Sequence, residues 1–312
     1  MNRRDLLRSA GLAAAALALR APLAACSRER VSRSHPQGGP DQERLARWSE
    51  SLRAERQVPP DAPLGRAATR VGELAAGTPY EAHTLEAYIR DRGDPATAEP
   101  LTLSLTRFDC VTLVEACLAV ARASQAEGPA SWEAFGHEVE RMRYRDGLRR
   151  GYASRLHYFS EWIEDGERRG LVKDLGQKLG AVEDRRPLRF MTSHRESYPA
   201  LADDAVVREI GEIERRLDDR PRYVVPTDRI LEVADQIESG DVLAFATGIP
   251  GLDVTHAAFA YRDEGKTLRV LHAPLSGGVV EVTAKTLPEY VAAIRRSTGI
   301  LVARPKWAPL PG

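Results

Sequence analysis

A surplus of charge of either sign is missing from this chain. Its 312 residues carry 45 Lys and Arg against 45 Asp and Glu, a formal balance of zero at pH 7. Proteins that neutralise nucleic-acid phosphates carry a basic surplus, so nucleic acid is excluded as the main partner. Long apolar runs are missing too. Beyond the N-terminus no stretch reaches the ~18 apolar residues that span a bilayer. Metal-ligand spacings are also absent: nothing of the form CxxC, HxxxH or HxH occurs. Structural zinc sites usually show ligands about two to four residues apart, so neither a metal nor another cofactor is expected. Internal repeats are lacking. What remains is an ordinary 43% apolar fraction, enough for one large or two small domains with a core.

The first residues form an address. "MNRRDLLRSAGLAAAALALRAPLAAC" has paired Arg3 and Arg4, an apolar stretch from Ala10 to Leu19, and a small-residue site. That order is the layout of a bacterial export signal, and the paired arginines before "DLL" point to the twin-arginine type. "LAAC" ends on Cys26, where a lipobox cysteine would be lipidated and become the mature N-terminus. Residues 1–26 are therefore expected to be a signal peptide, and the protein an exported, periplasmic, membrane-anchored lipoprotein. Residues 27–45, polar and rich in turn formers, suit a flexible tether. Residues 46–312 are expected to form a catalytic domain, with residues 46–100 as an N-terminal helical elaboration. A monomer is expected.

Cysteine is scarce. Three cysteines less a lipidated Cys26 leave Cys110 and Cys117. Export places them in an oxidising compartment. Seven residues along a helix span about 10.5 Å, whereas a disulfide needs Cα atoms within about 7 Å. On one helix these two cannot pair, and a free thiol in an exported protein calls for an explanation.

The segments "QERLARWSESLRAE", "LGRAATRVGELAAG", "ASWEAFGHEVERMRYRDG", "SRLHYFSEWIEDGERRG" and "DDAVVREIGEIERRLDDR" carry apolar residues at helical spacing. Phe159 and Trp162 read as core. Near Ile237 the texture changes. "GDVLAFAT", "THAAFAYR", "LRVLHA", "GGVVEV" and "GILVAR" read as strands, the second and third joined by "DEGKT", whose Glu-Gly is a hairpin signal. Helices first and antiparallel strands later give an α+β fold.

The chemistry gathers at "LTRFDCVTLVEACLAVAR". Asp109 is a good N-cap, so an amphipathic helix begins with Cys110 in its first turn. Unpaired amides and the helix dipole there favour a thiolate and predict a lowered pKa. Cys110, Leu113, Val114, Cys117 and Ala121 share one face, and Cys117 reads as core. His256 and His272 sit inside apolar strands, where an imidazole is costly unless hydrogen-bonded. On neighbouring strands the two could share a face, one accepting the thiol proton and the other orienting it. His35, His83 and His137 lie in polar settings.

"FDCVTLVE" resembles the helix-start cysteine motif of NlpC-type cell-wall cysteine peptidases, with Val111 and Thr112 in place of the usual Ser/Thr-Gly. That departure points to the N-acetylmuramoyl-L-alanine amidase-like branch. Similar segments there match "YRDGLRRGYASRLHYFSEWI", "GDVLAFATGIPGLDVTHAAFAY" and "LHAPLSGGVVEV", and the likeness runs from about residue 75 to 305. The resemblance implies a papain-like, NlpC-like fold, the cysteine helix packed on an antiparallel sheet that carries the histidines. It implies Cys110 as nucleophile, His256 as general base, His272 as orienting residue, and peptidoglycan muropeptides as substrate. Arg155 is a candidate pocket residue or a structural ion pair. Asp253 either shapes the turn before the His256 strand or lines the cleft. His157 is a weaker substrate-binding candidate. The bond cut is the lactyl–L-alanine amide or one within the stem peptide. A transferase and an inactive wall-binding module are the other readings.

Overall fold

The computed structural model describes residues 39–59, 62–97, 99–125, 128–275 and 278–307. Cys26 and the expected signal and lipobox lie outside the described residues. Ten α-helices are assigned among them: α1 Pro40–Ala54, α2 Leu64–Leu74, α3 Ala87–Arg90, α4 Cys110–Ala123, α5 Trp132–Arg143, α6 Phe159–Arg168, α7 Phe190–Ser193, α8 Asp204–Asp218, α9 Ile230–Val233 and α10 Leu287–Ala293. The strands are β1 Val172–Asp174, β2 Val182–Asp184, β3 Arg222–Pro226, β4 Val242–Thr247, β5 Val254–Arg262, β6 Leu268–His272, β7 Glu281–Val282 and β8 Ser297–Pro305. They form one antiparallel sheet in the order β2-β3-β8-β4-β5-β6-β7, with β1 also on β8. α1 begins at Pro40, inside the stretch expected to be tether.

The apolar run "VLAFAT" leaves no polar face, and β4 is buried along its whole length because the sheet is covered on both sides. One side packs Ala244, Ala246, Ala257, Phe259 and Leu271 against α1, α2, α4 and α5. The other packs Leu243, Phe245, Ala258 and Ile300 against α9 and α10. A third cluster lies between α7, α8 and Tyr158. Two glycines let α2 approach the sheet. Gly240 has φ +89°, and a side chain at either Gly65 or Gly240 would run into the other's backbone.

Three sequence expectations are corrected. The cysteine helix is not amphipathic: Leu113 to Ala123 is buried on every side, because Glu115 and Arg122 meet internal partners rather than water. Glu115 pairs with Arg143 at 2.8 Å, and Arg122 donates to the carbonyls of Leu171 and Lys306. The strands do not wait for Ile237, since β1, β2 and β3 join the sheet earlier; all three are short, and β1 and β2 carry charged residues that hide the alternation. The β5–β6 hairpin forms where Glu-Gly signalled it, with Lys266 at φ 62° in its turn. Ser154–Tyr158 also stay outside α6, whose cap is Tyr158.

Candidate active site

Asp109 caps α4 as its position suggests. Its Oδ1 accepts the Thr112 amide at 2.8 Å, and Thr112 Oγ1 accepts the Asp109 amide at 2.9 Å. This reciprocal box fixes the direction in which Cys110 leaves the first turn. The amides of Ala257, across on β5, of Val111 and of Cys110 itself favour a thiolate on this sulfur. Cys110 keeps part of its surface open, whereas Cys117 is buried, and both thiols are free.

β5 is irregular at this point. Ala257 pairs with Ala244 and Val254 with Ala246, so Thr255 and His256 together face the single residue Phe245. Such a bulge re-aims a side chain. The His256 ring stacks on Phe245 with centroids 5.6 Å apart, and its Nε2 lies 2.8 Å from His272 Nδ1. The Tyr290 hydroxyl of α10 lies 3.3 Å from the same Nδ1. Phe245, His256, His272 and Tyr290 thus form a box of four rings. With Nε2 engaged by His272, His256 keeps Nδ1 for another partner.

Burial decides the charges here. It pushes the Cys110 thiol up to about 12, with Asp109 adding to the rise and the three amides opposing it. It pulls His256 down to about 3, helped by His272, and His272 down to about 4. Cys110 as a residue keeps some surface, but the protein around its thiol outweighs the helix terminus, so the pKa is raised where a lowering was expected. Thiol and imidazoles are all neutral at pH 7.

The nominated Arg155, His157 and Asp253 make their contacts elsewhere. Arg155 is buried, 3.4 Å from Glu86 and 3.7 Å from Glu99, with its guanidinium over the Tyr152 ring. Glu99 also accepts from Tyr88 and Tyr144, and Glu86 from Tyr152. His157 packs tilted against the Tyr152 ring and bonds the Tyr152 carbonyl at 2.9 Å; burial holds its pKa well below the usual value. Asp253 is buried and accepts the Ser160 amide and hydroxyl, both at 2.8 Å, at the first turn of α6. Asp253 therefore ties the turn before β5 to α6.

Sequence reasoning missed Phe245, Tyr290, Glu281 and Tyr80. Tyr290 was findable, because "TLPEY" is a capping box from Thr286 to Glu289. Tyr80 sits in a clip that ties β7 to the approach to α4: Tyr80 N–H donates to Gly278 O at 2.8 Å, and Phe108 N–H to Pro79 O at 3.1 Å. Burial, then Cys110 and Asp109, push its phenol up to about 12. Among the described residues no group of three or more His, Cys, Asp or Glu is arranged to hold a metal ion.

Residues 70–300 match the family model described as N-acetylmuramoyl-L-alanine amidase-like. The chain belongs to that family. A solved N-acetylmuramoyl-L-alanine amidase from Bacteroides uniformis is 32% identical, with TM-score 0.70, over 78% of this chain and 99% of its own. A Bacteroides fragilis protein provisionally named a xylanase is 33% identical, with TM-score 0.68, over 75% of this chain and 99% of its own. A Legionella pneumophila protein shares the fold at 18% identity and TM-score 0.60, over 85% of this chain and 94% of its own. No curated protein matches. The amidase-like family is thus joined here to a mixed helix and antiparallel-sheet fold.

Proposed function

We propose that this amidase-like protein is a thiol-dependent hydrolase of peptidoglycan, cleaving the amide between the muramyl lactyl group and L-alanine. The observation that carries this reading is that α4, which begins at Cys110, packs on β5, where the Ala257 amide favours a Cys110 thiolate and the preceding residue, His256, is hydrogen-bonded to His272. A helix-start cysteine against a sheet bearing imidazoles also supports placement with the NlpC-type, papain-like peptidases. Glycosidase chemistry uses two carboxyls flanking the bond, and Asp109 beside the thiol is committed to the helix cap.

At rest the site holds a neutral thiol and neutral imidazoles. As substrate binds, the Cys110 proton moves to His256 Nδ1 while sulfur attacks the amide carbon. Amides at the start of α4 favour the developing negative charge. The C–N bond breaks, the leaving amine takes the proton from His256, and a thioester remains. Water then attacks it, gives a proton to His256, and releases the acid; the proton returns to sulfur. Arg155, His157 and Asp253 act on this site through packing. Residues 1–26 would direct export, and Cys26 would carry the lipid that holds residues 46–312 at the periplasmic face.

Digesting defined muropeptides, with mass spectrometry of the products, tests the reaction. A free lactyl carboxyl and a new L-alanine amine are expected. Cys110→Ala should lower turnover at least ~1000-fold while leaving the fold intact. Cleavage within the stem peptide would move the activity to an endopeptidase, and equal turnover by mutant and parent would sink the thiol mechanism. Cys26→Ala should release the protein from the membrane fraction; an unchanged distribution would rule out the anchor.

A further inference from the structure

His272 carries a ring nitrogen that the steps above leave idle. Its side chain is 1% exposed, its Nδ1 is held by His256 and approached by Tyr290, and its Nε2 has no hydrogen-bond partner. Buried imidazole nitrogens are normally satisfied. Glu281 Oε1 lies 3.8 Å from that Nε2. The pairing is built into the sheet, because Glu281 stands directly across the β6–β7 ladder from His272. β7 itself is tied to the approach to Cys110. Val280 and Gly278 bond Gly77, Thr78 and Tyr80, and the neighbouring Pro79 and Glu81 bond Phe108.

We propose that Glu281 is a positioning residue: its carboxylate, 3.8 Å from Nε2, attracts the His272 Nε2–H and so favours the tautomer whose Nδ1 accepts from His256 Nε2–H. The proton count then propagates. A His272 protonated on Nε2 has a free lone pair on Nδ1. His256 must answer with Nε2–H, which leaves its own Nδ1 unprotonated and able to take the thiol proton. In the opposite tautomer His256 carries hydrogen on Nδ1 and cannot act as base. When His256 becomes imidazolium, no proton passes to Glu281; its carboxylate favours the cation through His272. The groups facing His272 are His256 from β5, Glu281 from β7 and Tyr290 from α10, and the Tyr290 hydroxyl as donor to Nδ1 suits the same tautomer. This inference rests on the Cys110–His256 reading.

The test compares the parent with Glu281→Gln, Glu281→Ala, Glu281→Asp and Cys110→Ala on one muropeptide, alongside long-range proton–nitrogen NMR of the imidazoles. Glu281 is about half exposed, so the variants should fold. Gln and Ala are expected to lower kcat on the order of tenfold with KM unchanged, and Asp to recover part of the loss. The parent His272 should appear as the Nε2–H tautomer, and Glu281→Ala should mix the two tautomers. Parent-like kcat in Glu281→Ala, or a lower kcat with His272 still wholly Nε2–H, would overturn the proposal. A Cys110→Ala protein that still cleaves would instead overturn the underlying mechanism, whatever the tautomer.

Discussion

The cluster around Arg155 and the imidazole pair of His256 and His272 are both buried, but they handle charge in opposite ways. Around Arg155, burial opposes the charged guanidinium, and Glu99, Glu86 and Tyr152 outweigh it, so the ion stays. Around His256 no carboxylate among the described residues acts on the ring, and burial keeps it neutral. The first cluster spends its hydrogen bonds on itself; Tyr88 and Tyr144 donate to Glu99, and Tyr152 to Glu86. The second leaves a nitrogen of His256 and a face of Cys110 open. Compensated charge holds a structure in place, while neutral and unsatisfied groups are free to exchange a proton with a substrate.

The largest expected effect that could break this contrast is on Arg155. Arg155→Ala strands Glu99 and Glu86 in the interior and should cost about 3–5 kcal/mol in urea unfolding. Cys110→Ala should cost less than about 1 kcal/mol. A stable Arg155→Ala protein with a raised KM would reverse the assignment and make Arg155 a pocket residue.

Acid comes next. His272 is about neutral down to pH 4 when folded but titrates near 6.5 when unfolded. Below pH 6.5 the unfolded chain binds a proton that the folded one refuses, so stability falls as pH falls toward 4. The loss is about 1.6 kcal/mol between pH 6.5 and 5 for this residue. Unfolding of parent and His272→Asn at both pH values checks this; the variant should lose about 1.6 kcal/mol less over the interval. Equal losses would mean His272 is charged in the folded protein.

A smaller effect is expected of Tyr144→Phe, which removes a donor 2.8 Å from Glu99 Oε1. It should lower stability by about 1.5 kcal/mol and leave turnover unchanged. A change in turnover would join the two clusters functionally.

Local signals carried far in this chain. The cap at Asp109, the free thiols, the strands from Val242 onward and the core roles of Phe159 and Trp162 were legible, because each depends on neighbours within one or two turns. β1 to β3 were not, since short charged strands owe their pairing to β8. Glu115 and Arg122 misled for a related reason: polar letters at helical spacing look like a wet face until their partners Arg143 and Leu171 are known.

By itself the sequence determined where a cysteine begins a helix and that two histidines lie in strands near one another. Tertiary structure alone decided the β5 bulge that turns His256, the Tyr290 and Glu281 neighbours of His272, and the neutral charge state of the thiol. Those depend on how much protein surrounds each group, and desolvation is a property of the packed whole rather than of any stretch of chain.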